Sequence, residues 1–217
     1  SATVPAGIAA PTALANIRSN DFVNGIAATA ANSDVSIVSG LGAGMALTPA
    51  TGAISTSAAT PPGVYTIVYQ LCDKTTPTPN CATATDTITV IPTIDAVNDP
   101  ALSVPATGGT VPNVVANDTV NGGTAAVIGT NVSAPTLVNN GGLTGLVINA
   151  DGTLTVPNGT APNVYNVDYQ ICYLPATTPT ATCDTARVVI TVTGAIAPNP
   201  ESATVPAGIA APTALAN

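Results

Sequence analysis

Two stretches of similar sequence, GVYTIVYQLC (63–72) and NVYNVDYQIC (163–172), decide the fold of this chain. Large side chains occupy every second position in both, from Tyr65 to Leu71 in the first stretch and at the matching positions in the second. Such alternation is typical of a β-strand with one buried face, because successive side chains point to opposite faces of a sheet. We therefore predict one such strand in each of two related units.

Other motifs repeat around these strands in the same order. Downstream, CATATDTITV (81–90) matches CDTARVVITV (183–192), and upstream NDFVNG (20–25) matches NDTVNG (117–122). The downstream motif also alternates, which predicts a partner strand for the first one. Motifs that recur in a fixed order, with only small changes in spacing, indicate two homologous modules that differ by short loop insertions.

A second, longer repeat is an identity rather than a similarity. Residues 202–217 read SATVPAGIAAPTALAN, the same letters as residues 1–16, so the chain repeats with a period of 201 residues. The period is therefore a pair of modules that is itself repeated. We predict module 1 over 1–94, module 2 over 95–197 with a linker at 95–100, and a linker plus the first strand of the next repeat over 198–217.

Turn-forming residues are spread along the whole chain, with 20 Pro and 19 Gly. They interrupt any helical period, whereas the abundant Thr and Val favour strands. The pairs Thr51-Gly52 and Asp151-Gly152 lie between short apolar runs and predict tight hairpins. Short strands with turns roughly every 8–12 residues, in units of about 100 residues, predict an all-β chain of tandem immunoglobulin-like antiparallel β-sandwich modules.

The tyrosine near the start of the penultimate strand of each module, Tyr65 or Tyr165, has two roles open to it. One is a tyrosine corner, in which the hydroxyl donates a hydrogen bond to the backbone a few residues upstream. The other is simple packing in the core. The sequence leaves both roles open.

The four cysteines fall two to a module. Each pair brackets a hairpin loop, so repeat symmetry favours the disulfides Cys72–Cys81 and Cys172–Cys183. The alternatives are free thiols and a zinc site of four thiolates, which would require the two modules to converge. Disulfides imply an oxidising, extracytoplasmic setting.

The composition excludes several classes of function. The chain has no His, and therefore no His general base, no nucleophile–His pair and no His metal ligand. Three Lys and Arg beside eleven Asp and Glu, a formal charge of −8, argue against binding nucleic acid or an anionic membrane surface. No apolar run approaches the roughly 18 residues of a membrane-spanning helix. Without a recognisable catalytic motif, we predict a protein that is not an enzyme, binds no nucleic acid and does not insert into a membrane in this segment.

Four strings taken together resemble a known group: VVANDTVNG (114–122), INADGTLTV (148–156), VYNVDYQIC (164–172) and VVITV (188–192). They are similar to the tandem Ig-like and cadherin-like repeats of large bacterial surface proteins, adhesins and fibres. The resemblance covers both modules and is closer in module 2. It implies secreted, elongated arrays of β-sandwiches at the cell surface, acting as stalks, adhesins or fibres.

The junction sequence DAVNDP resembles the Asp-x-Asn-Asp linkers of cadherin-like modules, whose members often bind calcium. Position by position, Asp95, Asn98 and Asp99 match that linker, and oxygen ligands of this kind suit Ca²⁺. The resemblance thus implies calcium at this junction and no other cofactor. The competing interpretation, which the residues favour, is turn formation by Asn and Asp side chains that bond their own backbone. Asn-Asp pairs occur at 20–21, 98–99 and 117–118.

Two functions fit these observations. The first is a structural segment of a long extracellular protein, because length and stiffness grow by copying modules while chemistry does not. Its partners are neighbouring repeats or chains, through lateral association or through exchange of the strand at 202–217. The second is an adhesin region that recognises a glycan or a surface protein through loops at the module ends. Aromatic residues, the usual platforms for sugars, make up only 3% of the chain.

Overall fold

The computed structural model describes residues 1–174 and 182–194, together with positions 196, 198–200, 202, 207 and 208. The regular structure of these residues is all β-strand, and they include no helix long and apolar enough to cross a membrane. The predicted first strand of the next repeat, over 202–217, lies almost entirely outside the described residues. The strands of the first half are β1 (Ala2–Pro5), β2 (Ala10–Leu14), β3 (Phe22–Val23), β4 (Ile26–Ala27), β5 (Ser33–Ser39), β6 (Met45–Thr48), β7 (Ala53–Thr56), β8 (Gly63–Asp73) and β9 (Cys81–Ile91). Those of the second half are β10 (Ile94–Asp95), β11 (Leu102–Pro105), β12 (Gly109–Val111), β13 (Thr119–Val120), β14 (Thr124–Ala125), β15 (Thr136–Asn139), β16 (Val147–Ile148), β17 (Leu154–Val156), β18 (Asn163–Cys172) and β19 (Cys183–Thr193).

Each half of the chain is a sandwich of two sheets with the same strand order. In the first half, a sheet β1-β9-β8-β5 faces a sheet β2-β7-β6. In the second half, the sheets are β11-β19-β18-β15 and β12-β17-β16. The all-β sandwich predicted from the sequence is therefore the observed fold.

The longest strands are those that the alternating sequence predicts. Strands β8 and β9 pair antiparallel with Tyr65 opposite Ile88, and β18 and β19 pair in the same way with Tyr165 opposite Ile190. The hairpins β6–β7 and β16–β17 close at the predicted Thr-Gly and Asp-Gly turns. The period-2 pattern thus placed the central pair of each sandwich correctly.

One pairing in each half differs from the antiparallel prediction. Strand β1 pairs with β9 in parallel, and β11 pairs with β19 in parallel. Antiparallel pairing is dictated only where a short turn joins two strands. The first and last strands of a module are joined by the whole module, so this constraint does not apply to them.

The two halves have separate hydrophobic cores. In the first half, Ile67 and Ile88 of one sheet meet Ile54 of the other, and all three are fully buried. Among the described residues, the corresponding cluster in the second half has 18 buried residues against 10 in the first. Because burial of apolar surface is the main stabilising contribution, we expect the second half to be the more stable of the two.

Both candidate tyrosines form corners. The Tyr65 hydroxyl donates to the carbonyl oxygen of Pro61 at 2.8 Å, and the Tyr165 hydroxyl donates to that of Ala161 at 2.8 Å. Each bond ties the start of the penultimate strand to the loop that enters it. Both roles left open by the sequence are observed, because Tyr65 and Tyr165 also pack against the cores of their own halves.

Both disulfides have the pairing that repeat symmetry favours. Cys72 and Cys81 lie directly opposite each other on β8 and β9, with their Cα atoms 4.1 Å apart. Cys172 and Cys183 do the same on β18 and β19, at 4.0 Å. Each disulfide therefore closes the central hairpin of its own sandwich, and the described residues include no free thiol.

Candidate functional site

The segment that joins the two halves is bound to the second half by backbone pairing. Strand β10 (Ile94–Asp95) pairs antiparallel with β13 (Thr119–Val120), which extends the small β13–β14 hairpin to three strands. The Ile94 side chain packs against the core of the second half. The linker is thus a strand of the module that follows it rather than a free tether.

The turn of that hairpin binds Thr93, the residue just before strand β10. Asn121 and Gly122 have φ values of 48° and 77°, the left-handed conformation that a tight turn of this kind requires. The Asn121 side-chain oxygen accepts a bond from the Thr93 N–H at 3.1 Å, and the Asn121 N–H donates to the Thr93 carbonyl at 3.0 Å. Through these two bonds, Asn121 binds both the N–H and the carbonyl group of Thr93.

The first half contacts the same turn. The Thr93 hydroxyl donates to the carbonyl oxygen of Ala6 at 3.3 Å. Gly7 lies so close that a Cβ added to it would stand 2.1 Å from the carbonyl carbon of Asn121. The two sandwiches and the linker therefore meet at one point, with no room for even a methyl group.

The second part of the linker is bonded to side chains of the second half. The Val97 N–H donates to Asp118 at 2.7 Å, and the Ala96 N–H donates to Asp184 at 3.0 Å. The Asn117 side-chain amide donates to the Val97 carbonyl at 3.0 Å. In this segment, side-chain acceptors and donors replace the partner strand that a sheet would supply.

The last residues of the linker lie along strand β19. The Asp99 N–H donates to the Arg187 carbonyl at 2.8 Å, and the Arg187 N–H donates to the Asn98 side-chain oxygen at 2.8 Å. The Arg187 guanidinium pairs with Asp168 at 2.7 Å on the exposed face of the same sheet. This hydrogen bond lowers the pKa of Asp168 below its ordinary value.

A buried cluster of acidic groups lies beneath this part of the linker. Asp118 is 1% exposed, and its carboxylate lies 3.1 Å from the hydroxyl of the buried Tyr169. The same hydroxyl donates to the Val114 carbonyl at 2.7 Å. Burial and the neighbouring Asp118 carboxylate raise the pKa of Asp99 to about 7, and burial raises that of Asp118 as well. Burial and the repulsion between the two charges oppose ionisation of Asp99, so we expect the pair to keep a proton up to about pH 7.

The three residues matched to a calcium linker have different surroundings. Asp95 is exposed on β10, the Asn98 oxygen is taken by the Arg187 N–H, and Asp99 turns inward toward Tyr169. Ca²⁺ takes six to eight oxygen ligands, and no group of three or more acidic, Cys or His side chains in the described residues is arranged to hold a metal. The residues present therefore do not form a ready ligand set, and calcium binding at this junction stays a prediction.

Sequence reasoning missed the residues that hold the linker. It interpreted the pair at 117–118 as a turn bonded to its own backbone, whereas Asn117 and Asp118 bond to Val97 of the linker. In the sequence, Asn121 stands out only as part of the repeated motif NDTVNG (117–122). The available signal was the match of NDFVNG to NDTVNG, because a hairpin kept in both modules has a common use or a common structural role.

No protein-family model matches the chain, and no curated protein matches it. Among solved structures, the chain is similar to the human protocadherin-24 EC1-2 fragment, at 15% identity over 88% of this chain and 92% of that one, with a TM-score of 0.36. It is also similar to Drosophila N-cadherin EC1-4, at 9% identity over 88% of this chain and 47% of that one (TM-score 0.38). An endo-fucoidan hydrolase of glycoside hydrolase family 107 matches at 14% identity over 76% of this chain and 24% of that one (TM-score 0.30). Likenesses this distant carry no argument about function, and the assignment of the fold depends on the strand pairing described above.

Proposed function

We propose that this chain is a structural segment of a long extracellular protein, in which tandem immunoglobulin-like modules (1–94 and 95–197) form a stalk, fibre or filament. The observation that carries the proposal is the junction. The segment 93–99 is bonded to the following module, and its first residue, Thr93, is bonded to both modules. These bonds restrict bending between the modules. Binding or catalysis would not require such a connection, whereas a rod does.

The repeat supports the same function. An identical stretch of sequence 201 residues apart means that the pair of modules is copied as a unit. Copying adds length, and each added copy brings its own core, its own disulfides and its own linker. At a rise of about 3.3 Å per residue, strands of this length with their end loops add roughly 35–45 Å per module.

The covalent and charge properties of the modules fit an extracellular array. Each sandwich has its own disulfide across its central hairpin, as expected where the surroundings are oxidising. Charged residues make up only 6% of the chain, so few like charges oppose lateral contact between neighbouring rods. Self-association along the array or side by side is therefore part of the proposal.

Small-angle X-ray scattering tests the proposal on two chains: the 217-residue chain, and a chain of two consecutive periods (residues 1–201 followed by 1–217). We expect the maximum dimension to increase by about 70–90 Å on adding one period, with the scattering of a rod. A compact particle, or the scattering of a flexible string of modules, would rule out the structural role proposed.

A further inference from the structure

Module 1 contains a hairpin equivalent to the one that holds the linker in module 2, with a turn one residue shorter and with its outer edge unpaired in the described residues. Strands β3 and β4 pair around Asn24 and Gly25, whose φ values of 51° and 76° reproduce those of Asn121 and Gly122. In the described residues, β3 pairs only with β4, whereas β13 pairs with both β14 and the linker strand β10. We call the outer edge of β13, which pairs with β10, the filled edge. The outer edge of β3, which has no partner strand in the described residues, is the unfilled edge.

The unfilled edge is apolar and borders a groove. Phe22 and Ile26 are each 68% exposed, and they stand where the filled copy has Thr119 and Thr124. Phe22 lies on the unpaired strand β3 and Ile26 on its partner β4. An exposed aromatic side chain at an unpaired strand edge is typical of an interaction site. The groove beside them has a volume of about 190 Å³ and is lined by Phe22, Val23, Asn24, Leu71, Asp73, Asn80, Cys81 and Ala82.

The sequence provides a linker for this edge. Residues 202–217 repeat 1–16, which predicts the start of another copy of module 1 after module 2, joined to it by GAIAPNPE (194–201). Ile196 stands four residues after Val192, as Ile94 stands four residues after Val90. Ile94 packs against the core of the module that follows it, whereas Ile196 is 93% exposed.

We infer that the linker following module 2 docks on the β3 edge of the next copy of module 1, with Ile196 in the groove and Asn24 holding the backbone as Asn121 does. This inference rests on the proposed tandem array and describes the junction between module 2 and the next copy of module 1. Pro198 and Pro200 have no N–H, so this linker cannot repeat all the donor bonds of residues 96–99. Apolar contact with Phe22, Val23 and Leu71, which line the groove, takes the place of those bonds.

Hydrogen–deuterium exchange with mass spectrometry tests the inference on the two-period chain. The reporter is the peptide 19–28, since the structure shows no hydrogen bond from the Asn24 N–H to any described residue. In the 217-residue chain we expect one rapidly exchanging population. In the two-period chain we expect two populations of equal size, one of them exchanging roughly tenfold more slowly, because only the second copy has a linker before it.

The matched variants place Asp at two exposed positions of the first copy. Ile196→Asp changes the inserted side chain, whereas Val147→Asp changes a residue of β16 that is 51% exposed and outside the groove. We expect Ile196→Asp to remove the slow population and Val147→Asp to keep it. Neither residue is in a core, so both chains remain folded.

The outcomes separate this inference from the proposed function. A single fast population in a two-period chain that scatters as a rod overturns the inference and leaves the structural role intact. A slow population that survives Ile196→Asp also overturns it, because another contact then protects the hairpin. A compact two-period chain overturns the structural role itself.

Discussion

Replacing Gly7 by Ala perturbs the junction where the two modules touch. The added Cβ would lie 2.1 Å from the Asn121 carbonyl carbon and 2.3 Å from the Gly122 nitrogen. Non-bonded carbon atoms are most stable at about 3.5–4.0 Å, so the two backbones must separate by more than about 1 Å. The bond from the Thr93 hydroxyl to Ala6 is already 3.3 Å long and would not survive that displacement.

The expected loss of unfolding free energy in Gly7→Ala has two parts. Gly7 has a φ of +80°, and an L-residue in that conformation costs about 1–2 kcal/mol wherever it stands. Loss of the Thr93 bond costs about 0.5–1.5 kcal/mol more, and only this part belongs to the junction. Gly159→Ala is the matched control, because Gly159 has a φ of +83° and no other atom within 4 Å of the added Cβ.

Hydrogen exchange of the Asn121 N–H, which donates to the Thr93 carbonyl, measures the junction directly. We expect Gly7→Ala to speed this exchange by roughly tenfold and Gly159→Ala to leave it unchanged. In urea, both variants should lose about 1–2 kcal/mol of unfolding free energy from backbone strain, and Gly7→Ala should lose about 0.5–1.5 kcal/mol more with the Thr93 bond. Equal exchange rates in the two variants would refute the conclusion that the modules are held together at this point.

Three further predictions concern module 2. The pKa of Asp99 is about 7 when folded and 3.8 ordinarily, so its proton stabilises the fold fully below about pH 4 and this stability is lost as the pH rises through 7. Urea unfolding should show a loss of roughly 1–2 kcal/mol by pH 8, discounted for partial exposure, and a smaller loss in Asp99→Asn, where only Asp118 still has a raised pKa. Tyr165→Phe removes the bond to Ala161 and should cost about 1 kcal/mol in urea; an unchanged midpoint would contradict a role for the corner. Joint replacement of Cys172 and Cys183 by Ala should cost roughly 2–3 kcal/mol by the same measurement, and a loss below about 1 kcal/mol would mean that the closed loop contributes little.

The elements predicted best from the sequence are those with strong local signals. Strands β8 and β18 have an alternating pattern over ten or eleven residues, and both are present with their predicted hairpin partners. The symmetry of the repeat then favoured one of the three possible pairings of the four cysteines, the one observed. The strand pattern and the repeat are independent signals, and a wrong strand assignment in one module would disagree with the matching motif in the other.

The junction could not be predicted, because its signals are short and non-local. Strand β10 has only two residues, too few for any periodicity, and its partner β13 begins 24 residues after it ends. The groups that hold it, Asp118 and Asn121, belong to residue types that more often form turns. Their use became visible only when the fold placed them beside Val97 and Thr93.

The central conclusion is that the junction fixes the two modules relative to each other. Residual dipolar couplings of the 217-residue chain, recorded in one weakly aligning medium, test it most directly. If the linker fixes the modules relative to each other, the couplings of residues 1–91 and those of 102–174 and 182–193 fit a single alignment tensor of one magnitude. Two tensors of clearly different magnitude would show modules that reorient independently, and the rod built on this junction would be contradicted.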